Sequence, residues 1–229
     1  MKVNLHRIIV YNDYNLLMEY LNNKEAIYDV NKIDDQGMTP LTHCIKRKCC
    51  REIISEFINN KDVNPNITNE YGYSPLHFLC DNYYNIDISL IKSLVFRGDT
   101  NINLNTDILR YTPLNIAIDC NFVEAVEFLL SLDGIDTTKT YWDNKTIFQL
   151  TCFYGNVEMM QLLLMSDKVD PNIPFKHITD NLNREDVLNL IWDNRNKLVL
   201  EHEYYKHYED KASQIFVLII LCMEDKYNI

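Results

Sequence analysis

The sequence is poor in glycine and proline, with only 5 Gly and 6 Pro among 229 residues. This leaves little material for glycine-rich phosphate loops or for a β-sandwich full of tight turns. The motifs G-x-G-x-x-G, G-x-x-x-x-G-K-S/T and G-x-S-x-G are all missing. The sequence therefore gives no sign of a nucleotide-binding loop or of a hydrolase nucleophile elbow, and the few Gly and Pro must mark particular places.

Positive charge is also scarce, because 22 Lys and Arg face 33 Asp and Glu and the formal net charge is −11. Nucleic acid or an anionic membrane surface would require clustered basic residues, so we predict neither as a partner. The longest apolar run, 215–223, is about half of what a membrane span needs, and residues 1–7 carry no apolar signal-peptide core. We therefore expect no membrane span and no export signal.

The cysteines and histidines form no chemical motif. Seven Cys is an odd number without a C-x-x-C pair, which favours a reducing, cytoplasmic setting. Cys44, Cys80 and Cys152 follow their nearest Ser or Thr-initiated triplets at similar distances and are predicted to be buried in the core. The six His lack H-E-x-x-H and zinc-ligand spacings. We expect no catalytic residue, no cofactor and no metal.

A repeat is the strongest feature that is present. Three Ser/Thr-Pro-Leu triplets begin at Thr39, Ser74 and Thr112, and a degenerate fourth begins at Thr146, with spacings of 35, 38 and 34 residues. Ser or Thr is a preferred N-cap, and Pro is a preferred first helical residue. Each triplet therefore predicts the start of a helix, and a period in this range indicates a repeat architecture.

The residues after each triplet predict two short amphipathic helices, because apolar residues recur at helical spacing on both sides of a central break. Each unit ends in an Asn- and Asp-rich stretch, such as 62–66, which suits turns. Gly37 and Gly72 lie two residues before their Thr or Ser, where a hairpin tip would need left-handed backbone. The unit is predicted to be a turn followed by two antiparallel helices, so the fold class is all-α.

Segments 35–41, 71–77 and 154–164 resemble the ankyrin repeat, whose motif includes G-x-T-P-L-H and G-H-x-x-x-V-x-x-L-L. The resemblance implies a solenoid of about five stacked helix-turn-helix units with hairpin loops, within residues 1–178. It also implies that His77 hydrogen-bonds within its own hairpin loop and to a neighbouring one. The predicted unit bounds are about 1–35, 36–70, 71–108, 109–142 and 143–178.

The period is lost after residue 178. Apolar residues at helical spacing within 180–223 predict two or three further helices. We interpret 179–229 as a C-terminal helical cap, because a stack of repeats exposes its apolar core at both ends. A small appended module is the alternative, and 201–210 is the most unusual stretch in it.

The resemblance implies a function in binding a partner protein on the concave face, through the hairpin tips and the exposed positions of each first helix. Aromatic residues and Arg dominate binding hot spots. The alternative is that the aromatic side chains at these tips pack sideways on the neighbouring tip and only stiffen it. The predicted partner-binding residues are Tyr71, Tyr73, Arg110, Tyr111, Tyr141 and Trp142.

The net charge of −11 favours a partner with a basic patch. We predict a monomeric, non-enzymatic interaction module. The Asn-, Ile- and Tyr-rich composition, together with the large ankyrin families of poxviruses and intracellular bacteria, suggests a viral or pathogen factor acting on host proteins in the host cytoplasm. The alternative is an ankyrin-fronted effector or enzyme with its activity in 179–229.

Overall fold

The computed structural model describes residues 4–11, 13–23, 29–81, 83, 87–139, 146–147, 151, 159, 162–163, 166 and 168. The chain divides into two compact units, 1–135 and 136–229. In the second unit, the described residues include five that are buried: Thr137, Ile147, Thr151, Met159 and Leu163. The predicted C-terminal cap, 179–229, lies outside the described residues.

The first unit consists of short helices joined by loops. No strand occurs in the described ranges, which confirms the predicted all-α class. None of these helices is both long and apolar enough to cross a membrane. The helices are Leu5–Val10 (α1), Tyr14–Asn22 (α2), Pro40–Lys46 (α3), Arg51–Asn59 (α4), Pro75–Cys80 (α5), Ile88–Phe96 (α6), Pro113–Asp119 (α7) and Val123–Leu130 (α8).

The triplets begin helices as predicted, with Pro40, Pro75 and Pro113 at the first helical position. The Oγ1 atom of Thr112 accepts a hydrogen bond from the backbone N–H of Asn115 at 3.2 Å, and Asn115 Oδ1 accepts one from the N–H of Thr112 at 2.7 Å. At the start of α3, the Oγ1 atom of Thr39 likewise accepts from the backbone N–H of Thr42 at 3.2 Å. These caps supply partners for helix-start N–H groups that have none within the helix.

The helices pack in two layers. The first helices of successive pairs contact one another, α1 with α3, α3 with α5 and α5 with α7, and the second helices do the same. The Leu of each triplet, at 41, 76 and 114, is completely buried. Cys44 and Cys80 are also fully buried, which confirms their predicted place in the core. Burial raises the pKa of both thiols, so they stay protonated and unreactive.

Three asparagine side chains connect each repeat to the next, and we call them the asparagine ladder. Each amide group donates to a backbone carbonyl in the following loop, at 2.6–2.7 Å. In two of the three, the amide oxygen also accepts a backbone N–H from that loop. The ladder consists of Asn31, bonded to Asp62 and Asn64, Asn66, bonded to Asp99 and Asn101, and Asn103, bonded to Gly134.

Arg97 makes a second connection between repeats. Its guanidinium donates to the backbone carbonyls of Ile58, Asn60 and Val63 at 2.5, 2.9 and 2.8 Å. The same side chain pairs with the carboxylate of Asp99 at 2.9 Å. One planar, permanently charged group therefore satisfies three carbonyls at the end of α4 and in the loop after it.

His77 links two hairpin loops, as the resemblance implied. Its Nδ1 atom accepts from the N–H of Ser74 at 3.0 Å, and Nε2–H donates to the carbonyls of Leu104 and Tyr111 at 3.1 and 3.0 Å. The ring is completely buried and neutral. Burial lowers the pKa of His77 to about 4, although its two backbone acceptors act in the opposite direction.

The hairpin loops stack on each other closely. The N–H of Glu70 donates to the carbonyl of Gln36 at 3.4 Å, and the N–H of Asp107 donates to that of Tyr71 at 3.1 Å. Gly72 has φ +81°, and a Cβ atom there would lie 2.6 Å from the backbone nitrogen of Asp107. A side chain at this position would therefore be strained and would also push the two loops apart.

We expect His77→Asn to flatten the acid dependence of stability. The pKa of His77 is about 4 in the folded chain and ordinarily 6.5. Protonation therefore favours unfolding: wild type loses stability as the pH falls below 6.5, by up to about 3 kcal/mol once the pH is below 4. Urea unfolding at pH 7 and pH 4.5 measures this loss. Equal losses in wild type and variant would contradict it.

Gly72→Ala should destabilise the fold more than Gly98→Ala. Both glycines have φ above +80°, but nothing lies within 4 Å of a Cβ at Gly98. The control variant therefore carries only the left-handed strain, about 1 kcal/mol, and Gly72→Ala adds the backbone clash. Thermal and urea unfolding of the two variants test this, and equal destabilisation would show that the loops separate freely.

Candidate functional site

Three hairpin loops, 34–38, 69–73 and 106–111, precede α3, α5 and α7, and we call them the tip surface. A backbone hydrogen bond closes each loop: Asp34 N–H to Met38 at 3.0 Å, Asn69 N–H to Tyr73 at 3.0 Å and Thr106 N–H to Tyr111 at 2.9 Å. Since neighbouring loops are also hydrogen-bonded to each other, the tips form one continuous surface in the first unit.

The side chain of the first residue holds each of the first two loops in shape. Asp34 Oδ1 accepts the N–H groups of Gln36 and Met38, both at 2.9 Å. Asn69 Oδ1 does the same for Tyr71 and Tyr73, at 3.0 and 2.9 Å. Asp and Asn close such turns because their short side chains reach the backbone two residues on. The side chains on these loops are therefore presented from a rigid backbone.

The third loop differs from the other two. It contains one more residue between its closing pair, and it exposes 72% of Ile108. Arg110 has φ +56° at the position that Gly37 and Gly72 occupy in the other loops. A non-glycine residue there costs about 1 kcal/mol, so the exposed guanidinium is retained against a conformational penalty. The sequence indicates this difference at the residue two before Thr112, which is Arg where the other two loops have Gly.

Each tip also carries one exposed carboxylate directly after its first residue. These residues are Asp35, Glu70 and Asp107. They recur in register because the loops stack one above the other. The tip surface therefore presents a row of negative charge beside its aromatic and aliphatic groups, and Arg110 is its exposed cation within the three loops.

The predicted partner-binding residues fall into different environments. Tyr71 is 54% exposed. Tyr73 is half-buried and packs against His77 and Phe78, with ring centroids 5.7 and 5.6 Å away. Tyr111 is half-buried too, whereas Arg110 is exposed. Tyr141 and Trp142 lie outside the described residues. Among the tyrosines at the tips, Tyr71 is thus available to a partner, while Tyr73 stiffens its own loop.

The ends of the first helices add ionisable groups next to the tips. Burial raises the pKa of Tyr73, and the nearby carboxylates of Asp81 and Asp119 raise it further. Asp119 retains solvent-exposed surface, but partial desolvation of its carboxyl raises its pKa to about 6, against the opposing effect of a hydrogen bond from Tyr111. This side of the first unit is thus acidic in both its loops and its helix ends.

A separate cluster joins the first tip to two helices. His6 of α1, Asp34 and His43 of α3 bring their ligand atoms within 4.8 Å of one another. Burial and the neighbouring His6 lower the pKa of His43, and Asp34 opposes this shift. No local zinc-ligand spacing marks this cluster in the sequence, because His6 and His43 are 37 residues apart.

Comparison with known proteins agrees with this architecture. The family model described as ankyrin repeats, in three copies, matches residues 5–92 and 83–175. A putative ankyrin repeat protein of fowlpox virus is 34% identical over 117 residues, which cover 50% of this chain and 33% of that protein.

Other relatives are much longer proteins. Human transient receptor potential cation channel subfamily A member 1 is 28% identical over 148 residues, covering 65% of this chain. A probable serine/threonine-protein kinase of Dictyostelium discoideum is 30% identical over 118 residues, covering 52% of this chain. In each case the alignment spans only 13% of the relative.

The different environments of Tyr71 and Tyr73 predict different effects of substitution. We expect Tyr73→Ala to lower the free energy of unfolding by about 1–2 kcal/mol, because it removes two aromatic contacts. Tyr71→Ala should change it by less than about 0.5 kcal/mol, because its ring faces solvent. Urea unfolding of both variants is the measurement. A large loss for Tyr71→Ala would place its ring in the packed part of the loop.

Proposed function

Because the chain belongs to the ankyrin-repeat family, we propose that it is a non-enzymatic module that binds a partner protein through its tip surface. The ankyrin repeat is a non-catalytic interaction fold, which supports the coarser part of this proposal. The finer part rests on one observation: two loops that are hydrogen-bonded to each other expose Tyr71, Ile108 and Arg110. Aromatic, aliphatic and Arg side chains of this kind form the centres of protein interfaces.

The strained backbone of Arg110 supports a binding role for that residue. Gly37 and Gly72 show that glycine fits the same position of the loop, and glycine would remove the left-handed penalty. A bulky cation held at positive φ is the kind of outlier from which a functional hypothesis is drawn. In this proposal, the guanidinium pairs with an acceptor on the partner, and Ile108 and Tyr71 supply apolar contact beside it.

The row of carboxylates supports a partner with a basic patch. Asp35, Glu70 and Asp107 would face it from three successive loops, and the net charge of −11 would steer its approach. Tyr141 and Trp142, which lie outside the described residues, are also proposed as partner-binding residues. The proposed repeats span about 1–178, with 179–229 as a helical cap.

We place this module in the cytoplasm, as a monomeric viral or pathogen factor acting on host proteins. The similarity to a fowlpox ankyrin repeat protein and the odd number of cysteines support this setting. Burial keeps the thiols of Cys44 and Cys80 protonated, so neither is proposed as a catalytic nucleophile. The chain spans a third or less of the relatives compared above, so their whole-protein activities carry no weight here.

The test is a pull-down from host-cell lysate with a triple variant, Tyr71→Ala, Ile108→Ala and Arg110→Gly. All three side chains are exposed and glycine relieves the strain at 110, so the variant should melt near the wild-type temperature. We expect a host protein that wild type captures to be absent from the pull-down with the triple variant. Raising the salt concentration should weaken the wild-type capture.

Phe96→Ala provides the matched control, because Phe96 is 70% exposed but lies on α6, away from the tips. This variant should capture the partner as wild type does. If the triple variant captures the same protein equally well, the tip surface is not the binding site. Light scattering of the purified chain should give a mass near 27.2 kDa for a monomer.

A further inference from the structure

Three side chains from separate parts of the first unit direct ligand atoms at one point. His6 is the second residue of α1, Asp34 opens the first hairpin loop, and His43 lies within α3. The Nδ1 atoms of the two imidazoles are 3.1 Å apart. Oδ2 of Asp34 lies 3.9 Å from Nδ1 of His6 and 3.6 Å from Nδ1 of His43.

These distances suit a small metal ion. A point equidistant from the three atoms lies about 2.1 Å from each of them, and protein zinc sites have Zn–N and Zn–O distances of about 2.0–2.2 Å. Two imidazoles and one carboxylate are a recurrent ligand set for first-row transition metals, whereas Mg²⁺ and Ca²⁺ prefer oxygen ligands only. The cluster can therefore hold an ion without large movement of the side chains.

The outer hydrogen bonds direct the ligand atoms inward. Nε2–H of His6 donates to the carbonyl of Lys32 at 2.6 Å, so the neutral ring carries its lone pair on Nδ1. Oδ1 of Asp34 is occupied by two backbone N–H groups, which leaves Oδ2 facing the imidazoles. Metal-ligating His and Asp residues in proteins are oriented by such contacts.

Comparison with His77 shows that the cluster is not the ordinary arrangement of this repeat. His6 and His77 each follow a buried Leu near the start of a first helix, and each donates through Nε2 to a backbone carbonyl between its own helix pair and the next. Nδ1 of His77 is engaged by the hydroxyl and the N–H of Ser74. The sequence has Val3 three residues before His6, where Ser74 stands three residues before His77, so that position offers His6 no hydroxyl. Nδ1 of His6 faces His43 instead.

We propose that His6, Asp34 and His43 bind one divalent first-row transition metal ion, with Zn²⁺ as the preferred ion. Nδ1 of each imidazole and Oδ2 of Asp34 are the ligands, and water completes the coordination from the accessible side of the cluster. Binding displaces the proton shared between the two Nδ1 atoms. The ion connects α1 to α3 and to the first hairpin loop, and so stabilises the first repeat on the second.

Zn²⁺ titration of the full chain against a chromophoric chelator tests the proposal. We expect wild type to bind one equivalent that Asp34→Asn and His43→Gln each weaken by at least about tenfold. Asp34→Asn should keep the loop intact, because Asn69 forms the same turn in the next loop. Co²⁺ should give visible absorption bands of a four-coordinate site in wild type, and these bands should be absent in both variants.

The matched control is His77→Asn, which removes one imidazole outside the cluster and should bind Zn²⁺ as wild type does. Zn²⁺ should also raise the melting temperature of wild type and of this control, but not that of His43→Gln. Unchanged Zn²⁺ affinity in both ligand variants would overturn the proposal, since it would place the ion on other side chains. The proposal would also be overturned if wild type bound no equivalent of Zn²⁺.

Discussion

Stacking in the first unit depends on one constraint: the polar backbone of each loop must find hydrogen-bond partners in a neighbouring repeat. The helices have six to nine residues, a length at which an isolated helix is barely stable in water. Burial of Leu41, Leu76 and Leu114 drives the pairs together. The asparagine ladder and Arg97 then satisfy the loop carbonyls that this packing removes from water.

The same constraint accounts for the proposed binding surface. Because the ladder and His77 hold successive loops in register, residues at equivalent loop positions are stacked, and three carboxylates form a row. Binding residues on a rigid scaffold lose little conformational freedom when a partner docks. The longer third loop departs from the pattern, and it is also where Ile108 and the strained Arg110 are exposed.

Much of the fold was predictable from the sequence, because its signals are local. A Ser or Thr before Pro predicts a helix start through capping chemistry, and Gly37 and Gly72 predict hairpin tips through positive φ. The role of Asn31 and Asn66 was only half predicted. The sequence pattern predicts Asn as a turn former, but its amide also bonds to a loop about one repeat away, and no local pattern encodes that partner. The approach of His6 to His43 could not be predicted for the same reason.

At the tips, the sequence does not show which of Tyr71 and Tyr73 is exposed, because burial depends on the side chains of the neighbouring helix.

The spacing of the asparagine ladder also bears on how the chain reaches this structure. Each of its bonds joins residues 31–35 positions apart, and the bonds of Arg97 to the preceding loop span 34–39. Every repeat added to the stack therefore closes a chain loop of nearly the same length and loses a similar amount of closure entropy. Folding can advance along the chain in equal steps, and during synthesis a repeat can dock once roughly one more repeat has left the ribosome.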